Sequence, residues 1–232
     1  MSHSNVTSVT NMDEMFAACD SLVSVTLSNF KTSNLQTVNR MFYNCHSLIS
    51  INLTNLDTSK INDMASIFFN CYSLTSLDLS FFDTSNVISM QYMFLNCSSL
   101  TSLNFSTFDT SKVTNMDSMF YYCSQLKSID LSSFKADNLI NMGSMFNGCS
   151  SLTSLDFSSF NPNKLESIGN IFTNCIQLSY IDISTFPDIL IYTNDDFRNI
   201  SNSGEIKVNQ KSSQIITEIF NSLNMNWKII EN

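Results

Sequence analysis

Glycine and proline are nearly absent from this chain of 232 residues, which has four of the first and two of the second. Its turns must therefore come from side chains that bond nearby backbone, and Ser, Asn, Asp and Thr crowd the sequence. Basic residues are also few: 11 Lys and Arg stand against 20 Asp and Glu, for a formal charge of −9. That excludes the basic stripe a nucleic-acid binder needs, and attachment by charge to an anionic membrane. No apolar run approaches the roughly 18–20 residues that span a bilayer, so no membrane insertion is expected. The first fifteen residues are polar and do not form a secretory leader. Taken with Met1 as the native start, this points to the cytoplasm; the other reading is a piece of something longer. There is no Gly-rich phosphate loop, no nucleophile elbow, and no His in a recognisable order with Ser or Cys. An enzyme is not expected, nor a cofactor. At 43% hydrophobic residues, disorder is not expected either.

What the chain has instead is a five-residue box, Met-Phe-x-x-Cys, returning every 26 residues. It stands at Met15-Phe16 with Cys19, Met41-Phe42 with Cys45, Ile67-Phe68 with Cys71 and Met93-Phe94 with Cys97. It returns at Met119-Phe120 with Cys123, Met145-Phe146 with Cys149 and Ile171-Phe172 with Cys175. All seven cysteines lie in this series. A fixed period of this size marks a solenoid, in which each repeat leans on its neighbours. The expected class is an α/β repeat.

Counting each cysteine as position zero, position three is Leu throughout, from Leu22 to Leu178. Positions six and eight are apolar between polar neighbours, as in Leu77 and Leu79, which reads as a short strand. Position eleven is Phe or Leu, and position sixteen is apolar from Leu35 to Ile191. Met90, Met93, Phe94 and Cys97 then follow at i, i+3, i+4, i+7, the spacing of one helix face. Each repeat is thus predicted to be strand, turn, short helix. Residues 1–18 fit half a repeat, and the array is expected to fill residues 1–201. Its last copy drifts: Asn194 falls in an apolar slot and Ser201 where an eighth cysteine would stand. Residues 202–232 read as a C-terminal strand-helix cap, with Ile206 and Val208 in the strand, helical spacing from Ile215 to Leu223, and Trp227 as a lid.

The cysteines share the predicted inward face with Phe, where a free thiol behaves as a small hydrophobe. Disulfides between stacked repeats are the alternative. No Cys-x-x-Cys pair exists, and His3 and His46 are far apart, so no metal site is expected. The outward strand positions form three polar columns: Ser at five up to Tyr180, Asx at seven after Thr26, and Ser or Thr at nine. Over seven strands at ~4.8 Å they make a strip roughly 30 Å long. Its candidate binding residues are Asn52, Asp78, Asn104, Asp130, Asp156, Tyr180 and Asp182. Short polar side chains there keep an open sheet soluble; the same strip could bind a protein or glycan, or a cation between stacked Asp130, Asp156 and Asp182. Sequons begin at Asn5, Asn52, Asn96, Asn104 and Asn199.

The unit running from Cys97 to Cys123, Cys-x-x-Leu…Phe-Asp-Thr-Ser-x-Val-x-x-Met-x-x-Met-Phe-x-x-Cys, resembles the BspA-like leucine-rich repeats, and most closely their 26-residue bacterial surface-protein (Mycoplasma-type) variant of unknown function. The resemblance covers about residues 5–200. It implies a curved leucine-rich-repeat solenoid with the strands on its concave face, a place on the cell surface, and adhesion through a protein or glycan ligand. It implies no catalytic residues. The alternative is a structural or intracellular scaffold that self-associates through an uncapped N-terminal end.

Overall fold

The computed structural model of the protein describes residues 9–27, 30, 32–188 and 190–232. The chain winds as a parallel β-solenoid, one repeat per coil, with equivalent positions stacked in register: Ser24 pairs with Ser50 and Ser154 with Tyr180, each 26 residues on. The inward rows read from the sequence form one continuous core. From the second box onward every Phe and Cys of the motif is buried, as are Met90, Met116 and Met142. The motif phenylalanines stack face to face from Phe16 to Phe146. Phe94 lies 5.5 Å from Phe68 and 5.6 Å from Phe120, with the planes 9° and 2° apart.

The predicted helix is not there. In the seven segments that end at Cys19 to Cys175, the stretch from position nineteen to the cysteine is a run of turns, and positions twenty-one and twenty-five have positive φ; the segment after Cys175 differs, with a 3-10 turn and positive φ at Asn199. In the central coil these are Tyr92 (φ 59°) and Asn96 (φ 58°). A left-handed residue costs an L-amino acid about 1–2 kcal/mol. Hydrogen bonding offsets it. Alternate amides leave the coil and donate to the next: Met90 to Asn115 O at 2.9 Å, Tyr92 to Asp117 O at 3.0 Å, Phe94 to Met119 O at 2.9 Å, Asn96 to Tyr121 O at 2.7 Å. The amides between them close tight turns, as Cys97 does onto Phe94 O at 3.0 Å. A helix would keep all these bonds to itself; the turns share half of them and so bind coil to coil. The i, i+3, i+4, i+7 pattern survives because each four-residue turn returns the chain to the same side. Asn, the non-glycine residue best suited to this backbone, holds position twenty-five in four coils. There Asn70 Nδ2 donates to Asn44 Oδ1, and Asn96 Nδ2 to Asn70 Oδ1, both at 2.8 Å. Where Gly148 takes the slot (φ 78°), the Tyr122 ring lies over it, 2.8 Å from where a Cβ would stand.

The strand column is less regular than predicted. Among the described residues, strands form at β1 (Ser24–Thr26), β2 (Ser50–Asn52), β3 (Ser154–Asp156) and β4 (Tyr180–Asp182). In the three coils between β2 and β3 the alternation holds, with Leu79, Phe105 and Leu131 buried, but no strand is made. No backbone hydrogen bond joins residues 76–78 to 102–104, or 102–104 to 128–130. These coils are zipped elsewhere: by parallel bridges Asp63–Ser89, Ser89–Asn115 and Asn115–Asn141, and by buried threonines. Thr84 Oγ1 donates to Asp109 O at 3.0 Å and accepts from Asp109 N at 2.8 Å, replacing a ladder rung with a side chain.

The last coil corrects the register. It is one residue short: Ile181 pairs with Ile206, 25 residues on. Leu190 and Ile200 therefore take the inward slots expected of Ile191 and Ser201, and Ile191 is 82% exposed. Asn194, expected in an apolar slot, is exposed and opens a 3-10 turn, Asn194–Phe197. Its Asp196 is buried and accepts from Asn170 N at 2.6 Å and Thr193 N at 2.7 Å. The chain ends as β5 (Ser203–Val208), α1 (Gln210–Ser222) and β6 (Asn226–Glu231), with the sheet order β3-β4-β5-β6. Gly204 is required in β5, since a Cβ there would lie 2.3 Å from Ser179 O. Phe220 of α1 meets Phe197 edge-on at 5.0 Å, and Trp227 Nε1 donates to Ser201 O at 2.8 Å. No helix among the described residues is long and apolar enough to cross a membrane.

Candidate functional site

The outward columns lie where the alternation puts them. Asn52, Asp78, Asn104, Asp130 and Asp156 are exposed, as are the position-five serines Ser24 to Ser154. Each Asx side chain has a local task that the sequence reading did not assign. Its Oδ1 accepts from the amide two residues on: Asn52 from Thr54 at 3.0 Å, Asp78 from Ser80, Asn104 from Ser106 and Asp130 from Ser132 at 2.9 Å, Asp156 from Ser158 at 2.8 Å. These Asx turns bend the chain out of the outward face, doing the work that glycine or proline does elsewhere. They explain why position seven is Asx and position nine Ser or Thr. The Ser80 hydroxyl and amide hold the Asp78 carboxyl below its ordinary range, and Ser132 does the same for Asp130.

Tyr180 and Asp182 differ from the rest. Asp182 is buried, and its Oδ2 lies 3.6 Å from Lys207 Nζ, while Ser184 donates to Oδ1 from its amide at 3.1 Å and its hydroxyl at 2.6 Å. Tyr180 is half-buried, its hydroxyl 3.5 Å from Asp182 Oδ2 and its ring 5.6 Å from Lys207 Nζ. With Lys228 paired to Glu205 at 3.3 Å, this end of the strip is internally neutralised. Asp182 therefore does not join Asp130 and Asp156 as an open acidic column. Among the described residues no three His, Cys, Asp or Glu side chains gather as a metal-binding group.

Three open depressions lie along the strip, at or beside the coils whose strands are unpaired. One, of about 400 Å³, is lined by Asn104, Ser106, Asp130 and Ser132 over Leu103 and Phe105. A second, of about 270 Å³, is bounded by Asn52, Thr54, Asp78 and Phe81. A third, of about 120 Å³, lies between Asp130 and Asp156. Phe81 is 50% exposed, while its neighbour Phe82 fills the core. Sequence reasoning passed over it. The signal was available: position ten is Asn29, Asn55, Phe81, Thr107, Ser133, Ser159, Thr185, and Phe81 alone breaks a polar column.

The cysteines carry no site. All are free, and six are buried. Each buried thiol donates to a phenylalanine carbonyl of the preceding coil, as Cys97 Sγ does to Phe68 O at 3.1 Å and Cys123 Sγ to Phe94 O at 3.2 Å. Burial pushes the Cys45 thiol up to about 11 and Cys123 and Cys175 to about 12. Of the sequons, Asn52 and Asn104 are exposed in Asx turns, whereas the Asn96 and Asn199 amides are tied to Asn70 and Asn174. Asn5 lies outside the described residues, as do His3 and Ser28.

A family model described as "Mycoplasma protein of unknown function, DUF285" matches three overlapping stretches of the chain, residues 1–74, 47–130 and 96–187. No curated protein and no solved structure matches it.

Proposed function

Starting from the Mycoplasma-type family of unknown function to which this chain belongs across residues 1–187, we propose that the protein is a non-enzymatic interaction module of adhesin type, working at the cell surface. It binds an external protein or glycan through the outward face of its strand positions, the side expected to be concave in a leucine-rich-repeat array. The observation that carries this is the open row of depressions between Asn52 and Asp156. In a stacked array each coil spends its inward residues on the core, and the outward row is free to vary. Here it carries paired amide and carboxylate groups held in fixed orientation by Asx turns, so little rotamer freedom is lost on binding. The neutralised patch around Lys207 marks the end of the usable face.

Arrays of matrix proteins and glycans probed with the purified chain are expected to show saturable binding. The double variant Asp130→Ala/Asp156→Ala should reduce it, with the melting curve used to check the fold. Silence across broad arrays, or binding indifferent to the double variant, would refute this face as the binding surface.

A further inference from the structure

We infer that the depression bounded by Asn52, Asp78 and Phe81 is a ring-stacking subsite for an extended, uncharged glycan running along the solenoid axis. The inference rests on the proposal that the outward strand face is the binding face, and it names the ligand class. Phe81 offers an exposed ring beside a concavity, and the core does not need it. The C–H face of a pyranose packs on such a ring, while its hydroxyls need a donor and an acceptor at the rim. Asn52 supplies the donor: its Oδ1 is held by Thr54, and its Nδ2 makes no hydrogen bond with the described residues. Asp78 supplies the acceptor, since Ser80 takes only part of the roughly four lone-pair sites of a carboxylate.

The same amide–carboxylate pair returns two coils on as Asn104 and Asp130, around the larger depression. The two subsites are in line along the axis. Coils advance by about one strand spacing, ~4.8 Å, close to the advance per ring of an extended pyranose chain, so successive sugars meet equivalent positions. Only the first subsite has an exposed ring, since the Phe105 beneath the second is buried, and this makes it the anchor. Two further features select against other ligands. The carboxylates repel sulfated or uronic polysaccharides. The narrow polar depressions lack the clustered Trp, Tyr and Arg that protein partners use as anchors.

Cellohexaose and chitohexaose, both uncharged, would be titrated into the full chain by calorimetry, with a heparin hexasaccharide as the anionic probe. At least one neutral hexasaccharide is expected to bind and heparin is not. Phe81→Ala should weaken binding roughly tenfold, as the loss of one stacking contact does. Asp78→Asn, which keeps the Asx turn, should weaken it less. Phe81→Ala should melt as the parent does, because the ring lies outside the core, and Asp78→Asn should melt close to it, because the Asn oxygen still accepts from Ser80. Failure of both neutral probes, equal binding by Phe81→Ala, or tighter binding of heparin would overturn the inference. If those failures came with protein binding that Asp130→Ala/Asp156→Ala abolishes, the glycan assignment would fall while the interaction face would stand.

Discussion

Ser144 offers a direct test of the turn ribbon against the helix its spacing suggests. It stands at position twenty-one with φ 53°, partly exposed, its amide donating to Gly169 O at 2.8 Å. In an α-helix, Ser and Val have similar propensities and Gly is worse by roughly 0.5 kcal/mol. In the left-handed region the order inverts. Serine already carries a penalty of about 1–2 kcal/mol there. Glycine removes it and adds back roughly 0.5–1 kcal/mol of unfolded-state entropy, leaving Ser144→Gly neutral or slightly stabilising. A β-branched residue is an outlier in this region, so Ser144→Val should lose a further ~1–2 kcal/mol. The Gly and Val variants then differ by about 2 kcal/mol, or roughly 4–8 °C in melting temperature for a chain of this size. Circular dichroism melts of the three proteins settle the order. Gly at or above Ser, with Val lowest, is expected; Ser and Val equal with Gly lowest would refute the left-handed assignment.

Other outcomes follow from the same architecture. Phe94→Ala empties a fully buried slot between two stacked rings and should cost ~3–5 kcal/mol, read from chemical denaturation; an unchanged midpoint would remove Phe94 from the core. A thiol reagent at mild alkaline pH should label only Cys19 rapidly in the native protein and all seven cysteines in denaturant, since the other six are buried; fast native labelling of several thiols would contradict the packing. Asp78, Asp83, Asp109 and Asp130 have carboxyls held below their ordinary 3.8 by the serine two residues on. The stability they contribute is complete above 3.8 and lost as pH falls through their lower folded values. Asp196, raised by burial, acts in the opposite sense: its contribution is present below 3.8 and lost as pH rises through its folded value. Four groups against one, the melting temperature should drop as pH falls through 3.8 and below at constant ionic strength; a flat or rising profile would refute the Asx-turn account.

Much of the fold is legible because 26-residue spacing forces equivalent residues into rows, and an inward row must be apolar. Phe42 and Leu100 could be placed inside from period alone. The helix was misread because side-chain spacing reports which side a residue faces, while φ depends on where its amide finds an acceptor, and those acceptors lie in the next coil. Strand pairing was hidden for a related reason. Ser76-Leu77-Asp78 and Ser154-Leu155-Asp156 are identical triplets, yet only the second is a strand. The second sits beside the fully paired β4, β5 and β6, so the neighbour decides. In the candidate site, Asn52 and Asp130 were placed correctly on the surface. The ion pair that withdraws Asp182 depends on Lys207, whose register follows from a one-residue shortening around Pro187. Phe81 broke a column in plain view, but it became a candidate only once the depression beside it was known.

The coil-to-coil bonds run from backbone to backbone, from positions nineteen, twenty-one, twenty-three and twenty-five of one unit to the carbonyls just before them in the next. They ask of those side chains only that positions twenty-one and twenty-five accept a left-handed backbone, so units that meet this condition and keep the inward rows apolar fit against one another. Recombination between near-identical tracts of a gene that gains or drops a whole unit would yield a chain whose joints are all intact, longer or shorter by about one strand spacing, ~4.8 Å. Length then becomes a heritable trait that changes without loss of folding, while the outward residues of each unit diverge independently. The 25-residue coil before β5 departs from this rule: β5 pairs with β4 at an offset one residue shorter than the units before it.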